Sequence, residues 1–342
     1  MISDLKHKEE ASAASLSPVD WDRIDPREKG RLPGLFVIGA MKSGTNYLRK
    51  LLGRHPSIFM TEVDEPSYFV DPDELKVIWP EMWAHGYWRD ERNYLQLFAS
   101  AGDATILGEA STNYTKIPLV SGVAERLHMF NPDARLIYLL RDPVERAVSQ
   151  YWHMVRYHSE YRSIAAAIRH DPQYVAVSHY AMQLAPFRER FGDDRLMVLT
   201  HEALIRDPVT TMEALYRWLG LDPACVDIAG FRDPEHVTPE AFRMPIWKGL
   251  PRRLWQSSSV TRISKHLPPR LQTRLREATN RYVRPQDVDL AEVTNFLRSI
   301  QRRQVDQLSE ILNRGFPEWT TLHGCSDTAP GTGVPLQPPA GR

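Results

Sequence analysis

The chain has 342 residues, 43 of them basic and 43 acidic, so its formal net charge at neutral pH is zero. An apolar share of 42% with 25% charged residues fits a globular protein and excludes a disordered or fibrous one. The charge balance gives no overall pull toward nucleic acid or an anionic membrane, and no apolar run approaches the roughly 18 residues of a membrane span.

Residues 1–30 are polar and weakly patterned and read as a flexible N-terminal arm. Its opening, MISDLKHKEEASAAS, lacks the apolar stretch of a signal peptide, so a cytoplasmic protein is expected. The first strong pattern is LFVIGAMKSGTNYLRKLLGRHP, from Leu35 to Pro56. Leu35 to Ile38 suits a buried strand, Gly39 to Gly44 a turn, and a helix is predicted from about Thr45, with Tyr47, Leu48, Leu51 and Leu52 at helical spacing. Strand, glycine-bearing turn and helix N-terminus together hold phosphate, because backbone N–H groups and the positive end of the helix face the anion. A nucleotide triphosphatase loop reads GxxxxGK[ST]. Gly39 and Gly44 keep that glycine spacing, but Thr45 and Asn46 follow, and the lysine stands earlier, at Lys42.

Residues 71–100 are rich in aromatics (Trp79, Trp83, Tyr87, Trp88, Tyr94) and read as an insertion over a cleft or as packing beneath a long loop. Strands are predicted at 35–39, 105–109, 135–140 and 195–199, alternating with helical segments up to about residue 222. That alternation predicts a parallel sheet flanked by helices, with ligands outside the strand C-termini. In ARLIYLLRDPVERAVSQYWHMVRYH, Ala134 to His158, Arg141 stands at such an end. Asp142, Pro143 and Glu145 then form a helix start: an acidic N-cap, proline at the first helical position and glutamate at the third. Val144, Ala147, Val148, Tyr151 and Val155 mark the buried face. Residues 230–275 hold several prolines and read as a lid loop; the basic stretch Lys248 to Arg276 suits a solvated face, a lid or an acceptor surface. A long amphipathic helix is predicted over 289–314, and a Pro/Gly-rich disordered tail over 323–342. Two cysteines, Cys225 and Cys325, do not make a disulfide framework and fit a reducing compartment.

With these motifs the chain resembles the sulfotransferases that use 3′-phosphoadenosine 5′-phosphosulfate, in their bacterial and heparan-type branch. The resemblance runs from about residue 34 to 320. Leu35 to Pro56 is similar to that family's 5′-phosphosulfate loop, which implies donor contacts from Lys42, Ser43, Gly44, Thr45 and Asn46. Ala134 to His158 is similar to its 3′-phosphate motif, which implies phosphate contacts from Arg141 and Ser149. VDEPSYF (Val63 to Phe69) resembles a KEPHFF-like segment, whose glutamate, here Glu65, is implied as general base. LGEASTNY (Leu107 to Tyr114) and ILNRGFPEW (Ile311 to Trp319) are further matches. The resemblance implies an α/β fold: a P-loop-like parallel sheet flanked by helices, forming a single sulfotransferase domain over 31–322.

The implied reaction moves a sulfuryl group to a hydroxyl (less readily an amine) of a carbohydrate, lipid or secondary metabolite. Lys42 would stabilise the leaving phosphate and Glu65 would take the acceptor's proton. The product of the co-substrate would be adenosine 3′,5′-bisphosphate. No metal is expected, since the twelve histidines show no HxxxH or HExxH spacing. Asp64, Ser67 and Ala110 stand where relatives carry lysine, histidine and lysine, which argues against a heparan-like polyanionic acceptor. Glu109 is read as a support for loops, and His153, His158 and His179 as structural. Two other readings stay open: a P-loop kinase or NTPase, opposed by threonine at position 45, and a nucleotide-binding module without catalysis.

Overall fold

The computed structural model of the chain describes residues 32–158, 160–228, 230, 240–245 and 280–324. The predicted arm at 1–30 lies outside the described residues, as do the lid at 230–275 apart from Gly230 and 240–245, and the tail beyond Gly324. Five parallel strands form the central sheet: β1 (Leu35–Gly39), β2 (Ile58–Met60), β3 (Ile106–Ala110), β4 (Arg135–Leu140) and β5 (Leu196–Thr200), in the order β2-β3-β1-β4-β5. The helices between them are α1 (Thr45–Leu52), α2 (Pro72–Ile78), α3 (Pro80–His85), α4 (Glu91–Leu95), α5 (Val123–Phe130), α6 (Pro143–Tyr157), α7 (Ile164–His170), α8 (Gln173–Ala176) and α9 (Tyr180–Phe191). After β5 come α10 (His201–Arg206), α11 (Pro208–Trp218), the antiparallel pair β6 (Phe242–Pro245) and β7 (Asn280–Val283), α12 (Ala291–Leu312) and α13 (Thr320–His323).

The sheet is buried on both faces, which is why its strands read as unbroken apolar runs rather than alternating ones. Phe36, Ile38, Tyr138 and Leu140 pack on one face with α5, α6 and α9. Leu35, Val37, Ile137 and Leu139 pack on the other with Leu48, Leu51 and Leu52 of α1 and Leu215 of α11. The four predicted strands fall within one residue of their places. The three-residue strand β2 was not among them. The C-terminal helix runs over Ala291–Leu312, two residues inside the predicted span at each end; at its C-terminus Asn313 turns left-handed and closes it. No helix among the described residues is long and apolar enough to cross a membrane.

Chain order and strand order reverse at β1: β2 and β3 lie to one side of it and β4 to the other. In open parallel sheets that switch point leaves a crevice beyond the strand C-termini. The turn after β1 carries Lys42 and the turn after β4 carries Arg141, so both flank the crevice. The 71–100 segment divides. Tyr94 goes into the core, stacked on Tyr68 at 4.1 Å between ring centroids. Trp79, at the α2–α3 corner, packs on the edge of that core with its ring against His153, His158 and Lys116.

Candidate functional site

Gly44 begins α1 in the left-handed region, with φ of 94°, and no side chain caps the helix. Its first turn has no acidic residue, so the positive end of the helix stays unopposed. A Cβ at Gly44 would sit 2.7 Å from Nδ1 of His201, the first residue of α10. Gly44→Ala therefore combines backbone strain with a clash, and it is expected to lower stability by on the order of 1–3 kcal/mol. A thermal melt checks this; an unchanged midpoint would mean that the loop shifts freely.

The loop is a basic junction. Lys42, itself left-handed at φ 68°, is half-buried. Arg141 donates from Nη1 to the Lys42 carbonyl at 3.4 Å and from Nη2 to Glu145 Oε2 at 2.9 Å. Burial, then Arg141 and Arg156, pushes the Lys42 ammonium below its ordinary range. Burial and the same Arg141 hold His201 neutral, down to about 4. Beneath the loop Arg146 is fully buried, donating to the carbonyls of Met41 and Tyr174 and to Gln150 Oε1. Burial pushes its guanidinium down to about 10. Two buried atoms of the junction, Ser43 Oγ and Arg141 Nε, have no hydrogen-bond partner among the described residues. A phosphate offers acceptors to both and relieves the repulsion among the cations.

Thr45 is buried at the start of α1, and Asn46 beside it is half-buried. Ser149 is half-buried on α6, and the structure records no hydrogen bond between it and Arg141. It shares a helix face with Glu145 and His153, each four residues away. Asp142 caps α6 as its sequence predicts, accepting from the N–H of Val144 and Glu145 at 2.9 and 3.3 Å. Its other oxygen accepts from the N–H of Leu322 at 2.8 Å, and its own N–H donates to Glu202. Trp319 Nε1 also donates to Glu202, at 3.2 Å. The ILNRGFPEW segment and the turn beyond it thus brace the ends of β4 and β5 from behind.

Glu65 lies across the crevice, in a tight turn in which Glu65 and Ser67 are both left-handed, at φ 54° and 55°. Three of the four non-glycine residues with positive φ among those described are Lys42, Glu65 and Ser67. Such strain gathers where surrounding structure holds a functional residue in place. Glu65 Oε2 accepts from the N–H of Thr112 at 2.6 Å and of Asn113 at 3.3 Å; Oε1 accepts from Thr112 Oγ1 at 2.7 Å. A carboxylate has about four lone-pair positions, so one on Oε1 remains for an incoming proton. Burial pushes this carboxyl above its ordinary range; Lys116 and the Thr112 and Asn113 donors pull it back. Arg49 of α1 anchors the turn, donating to the Thr61 carbonyl at 2.7 Å and pairing with Asp64 at 2.8 Å. The two departures at 64 and 67 are structural in this chain: Asp64 pairs with Arg49, and Ser67 donates to the Glu65 carbonyl.

Glu109 is wholly buried and accepts from Tyr94, Tyr114 and Ser111. Burial raises it to about 7, against the pull of those hydroxyls. This is a loop support, as the sequence reading has it. The sequence reading did not single out Lys116, Arg146 or His201. Nothing in local periodicity marks a lysine or arginine for the interior, since burial of a charge is decided by elements far away in the chain.

A family model described as the sulfotransferase family matches residues 33–224. A membrane-associated sulfotransferase from Dictyostelium discoideum is 35% identical over 120 residues, 35% of this chain and 22% of that protein. A human heparan sulfate glucosamine 3-O-sulfotransferase, type 6, is 26% identical over 205 residues, 58% of this chain and 55% of that protein. The chain thus spans between a fifth and about half of these relatives' lengths. A crystal structure of a sulfotransferase from Alicyclobacillus acidocaldarius superposes with a TM-score of 0.59 at 24% identity, covering 84% of this chain and 98% of that one, and shares the fold.

Proposed function

Since the chain belongs to the sulfotransferase family, we propose that it moves a sulfuryl group from 3′-phosphoadenosine 5′-phosphosulfate to a hydroxyl of a small molecule or glycan. The observation that supports this most is the junction of the two turns: Arg141 bonded to the Lys42 carbonyl, with Ser43 Oγ and Arg141 Nε buried and unsatisfied. That arrangement fits two anionic ends of one adenylate. Lys42, Ser43, Gly44, Thr45 and Asn46 would hold the 5′ end at the helix terminus, and Arg141 with Ser149 the 3′-phosphate. The donor, when bound, supplies an activated sulfur whose bond to the phosphate oxygen breaks as the bond to the acceptor oxygen forms. The Lys42 ammonium stabilises charge on the departing phosphate. Glu65 Oε1 takes the acceptor's proton. Held by backbone N–H groups, it needs no reorganisation as it does so.

The acceptor side is less basic than a polyanion would need. Asp64 is paired with Arg49, and position 110 is alanine. A neutral hydroxyl acceptor fits better, and a labelled-sulfate screen of glycans, lipids and metabolites would identify it. The donor is tested by thermal shift with adenosine 3′,5′-bisphosphate against ATP with Mg²⁺. At about 100 times its dissociation constant a ligand stabilises by roughly 2.7 kcal/mol. Protection by the bisphosphate is expected. Protection by ATP–Mg²⁺ alone would replace this reading with a nucleotide kinase or NTPase.

A further inference from the structure

Lys116 follows the short 3-10 turn Thr112–Thr115 that holds Glu65. It is only 3% exposed. Its ammonium donates to Asn113 Oδ1 at 2.6 Å and lies 3.8 Å from the ring centre of Trp79. Asn113 is the link: its backbone N–H donates to Glu65, its side-chain Oδ1 receives Lys116, and its Nδ2 donates to Ser67 Oγ at 2.8 Å. Ser67 in turn receives nothing from solvent, being fully buried, and its N–H donates to Ser111 Oγ, which donates to Glu109. A buried lysine without a compensating charge is costly. Among the described residues, four ionisable groups act on Lys116 or feel its charge: Glu65 from the turn after β2, Arg146 and His153 from α6, and His158 just beyond its end. Burial, and then Arg146, pulls the Lys116 ammonium down to about 7, and the Glu65 carboxylate pulls it back up. Burial holds His153 down to about 3, and His158 is also lowered. Glu65 is therefore the one anion of this set.

We propose that Lys116 is a positioning residue for the reaction: clamped by Asn113 and the Trp79 ring, it fixes a buried cation beside Glu65 and so keeps that carboxylate in its proton-accepting form. This rests on Glu65 being the base of the proposed reaction. The cation holds the base by charge and the Thr112–Asn113 turn holds it by geometry, so the two supports are separable. The chain carries alanine at position 110 and supplies its cation from position 116. Trp79 belongs to the same device, since its ring face is a surface that receives an ammonium without neutralising it.

The test reads Glu65 directly. The protein is labelled with glutamate bearing ¹³C at the carboxyl carbon, and the Glu65 signal is assigned by its loss in Glu65→Gln. Lys116→Met, of similar length and without charge, is expected to move the Glu65 titration midpoint up by about one pH unit or more. Lys116→Arg is expected to restore most of the shift, and Trp79→Leu to move the midpoint in the same direction by less. An unchanged midpoint in folded Lys116→Met overturns the proposal. Should Lys116→Met fail to fold, Trp79→Leu decides: a midpoint equal to that of the parent overturns it. The titration needs neither donor nor acceptor. Failure of the bisphosphate to protect the parent protein would sink the sulfuryl-transfer reading and leave this midpoint to be judged separately.

Discussion

Lys42→Ala is expected to lower kcat for sulfuryl transfer by about 10²- to 10³-fold, the size seen when one preorganised donor to a developing anion is removed. The same variant is expected to melt no lower than the parent in the absence of ligand. The two expectations come from one fact. In the free protein the Lys42 ammonium is half-buried beside Arg141 and Arg156, and its pKa is lowered accordingly, so the charge is unfavourable until an anion arrives. Alanine removes that repulsion together with the function it serves. A left-handed φ of 68° is also no worse for alanine than for lysine. Steady-state rates with labelled donor, and melts with and without adenosine 3′,5′-bisphosphate, read both sides. A variant that lost stability while keeping its rate would make Lys42 a structural residue. The pKa also sets a pH trend: Lys42 loses its proton below the ordinary lysine range, so donor binding should weaken on the alkaline side earlier than for an exposed lysine, and that weakening should be absent in Lys42→Ala.

Glu65→Gln is expected to reduce kcat by about 10²- to 10⁴-fold while bisphosphate binding stays as in the parent. Glutamine suits the site. Its oxygen can accept from the Thr112 and Asn113 N–H groups, and its NH₂ can donate to Thr112 Oγ1, so the turn is kept and only the proton acceptor is lost. In the parent, burial places the Glu65 midpoint above the usual carboxylate range. As the proposed base, Glu65 would work when ionised, so the rate should rise with pH through that midpoint. The rise should vanish in Glu65→Gln. A near-normal rate in Glu65→Gln, with the acid limb intact, would remove Glu65 from the base role.

The parts of the site that were legible in the sequence are those whose signals are local. The glycine spacing, the apolar run before it and the D-P-x-E start of α6 each lie within a dozen residues, and each fixes a turn that carries a cation to a strand end. Strand β2 was missed because three residues cannot show a period. Arg146 was missed for another reason. It sits between apolar positions of α6, but its burial comes from α8 and the Ser178 region closing over it from more than 25 residues away. Lys116 was missed because its meaning depends on a tryptophan 37 residues earlier in the chain. The aromatic stretch that held this tryptophan was visible, but which of its rings goes into the core and which packs on its edge was not. The dual role found there, Tyr94 inward and Trp79 toward Lys116, follows from packing alone.

The attachment of Leu322 and Trp319 to Asp142 and Glu202 has a bearing on how the protein is made. Ribosomes deliver the chain from its beginning at a few to about twenty residues per second. The turns that carry Lys42 and Arg141 and the sheet between them are complete some hundred residues before their rear brace emerges. A nascent chain therefore carries a nearly assembled crevice whose α6 cap stays half-satisfied until Trp319 and Leu322 follow.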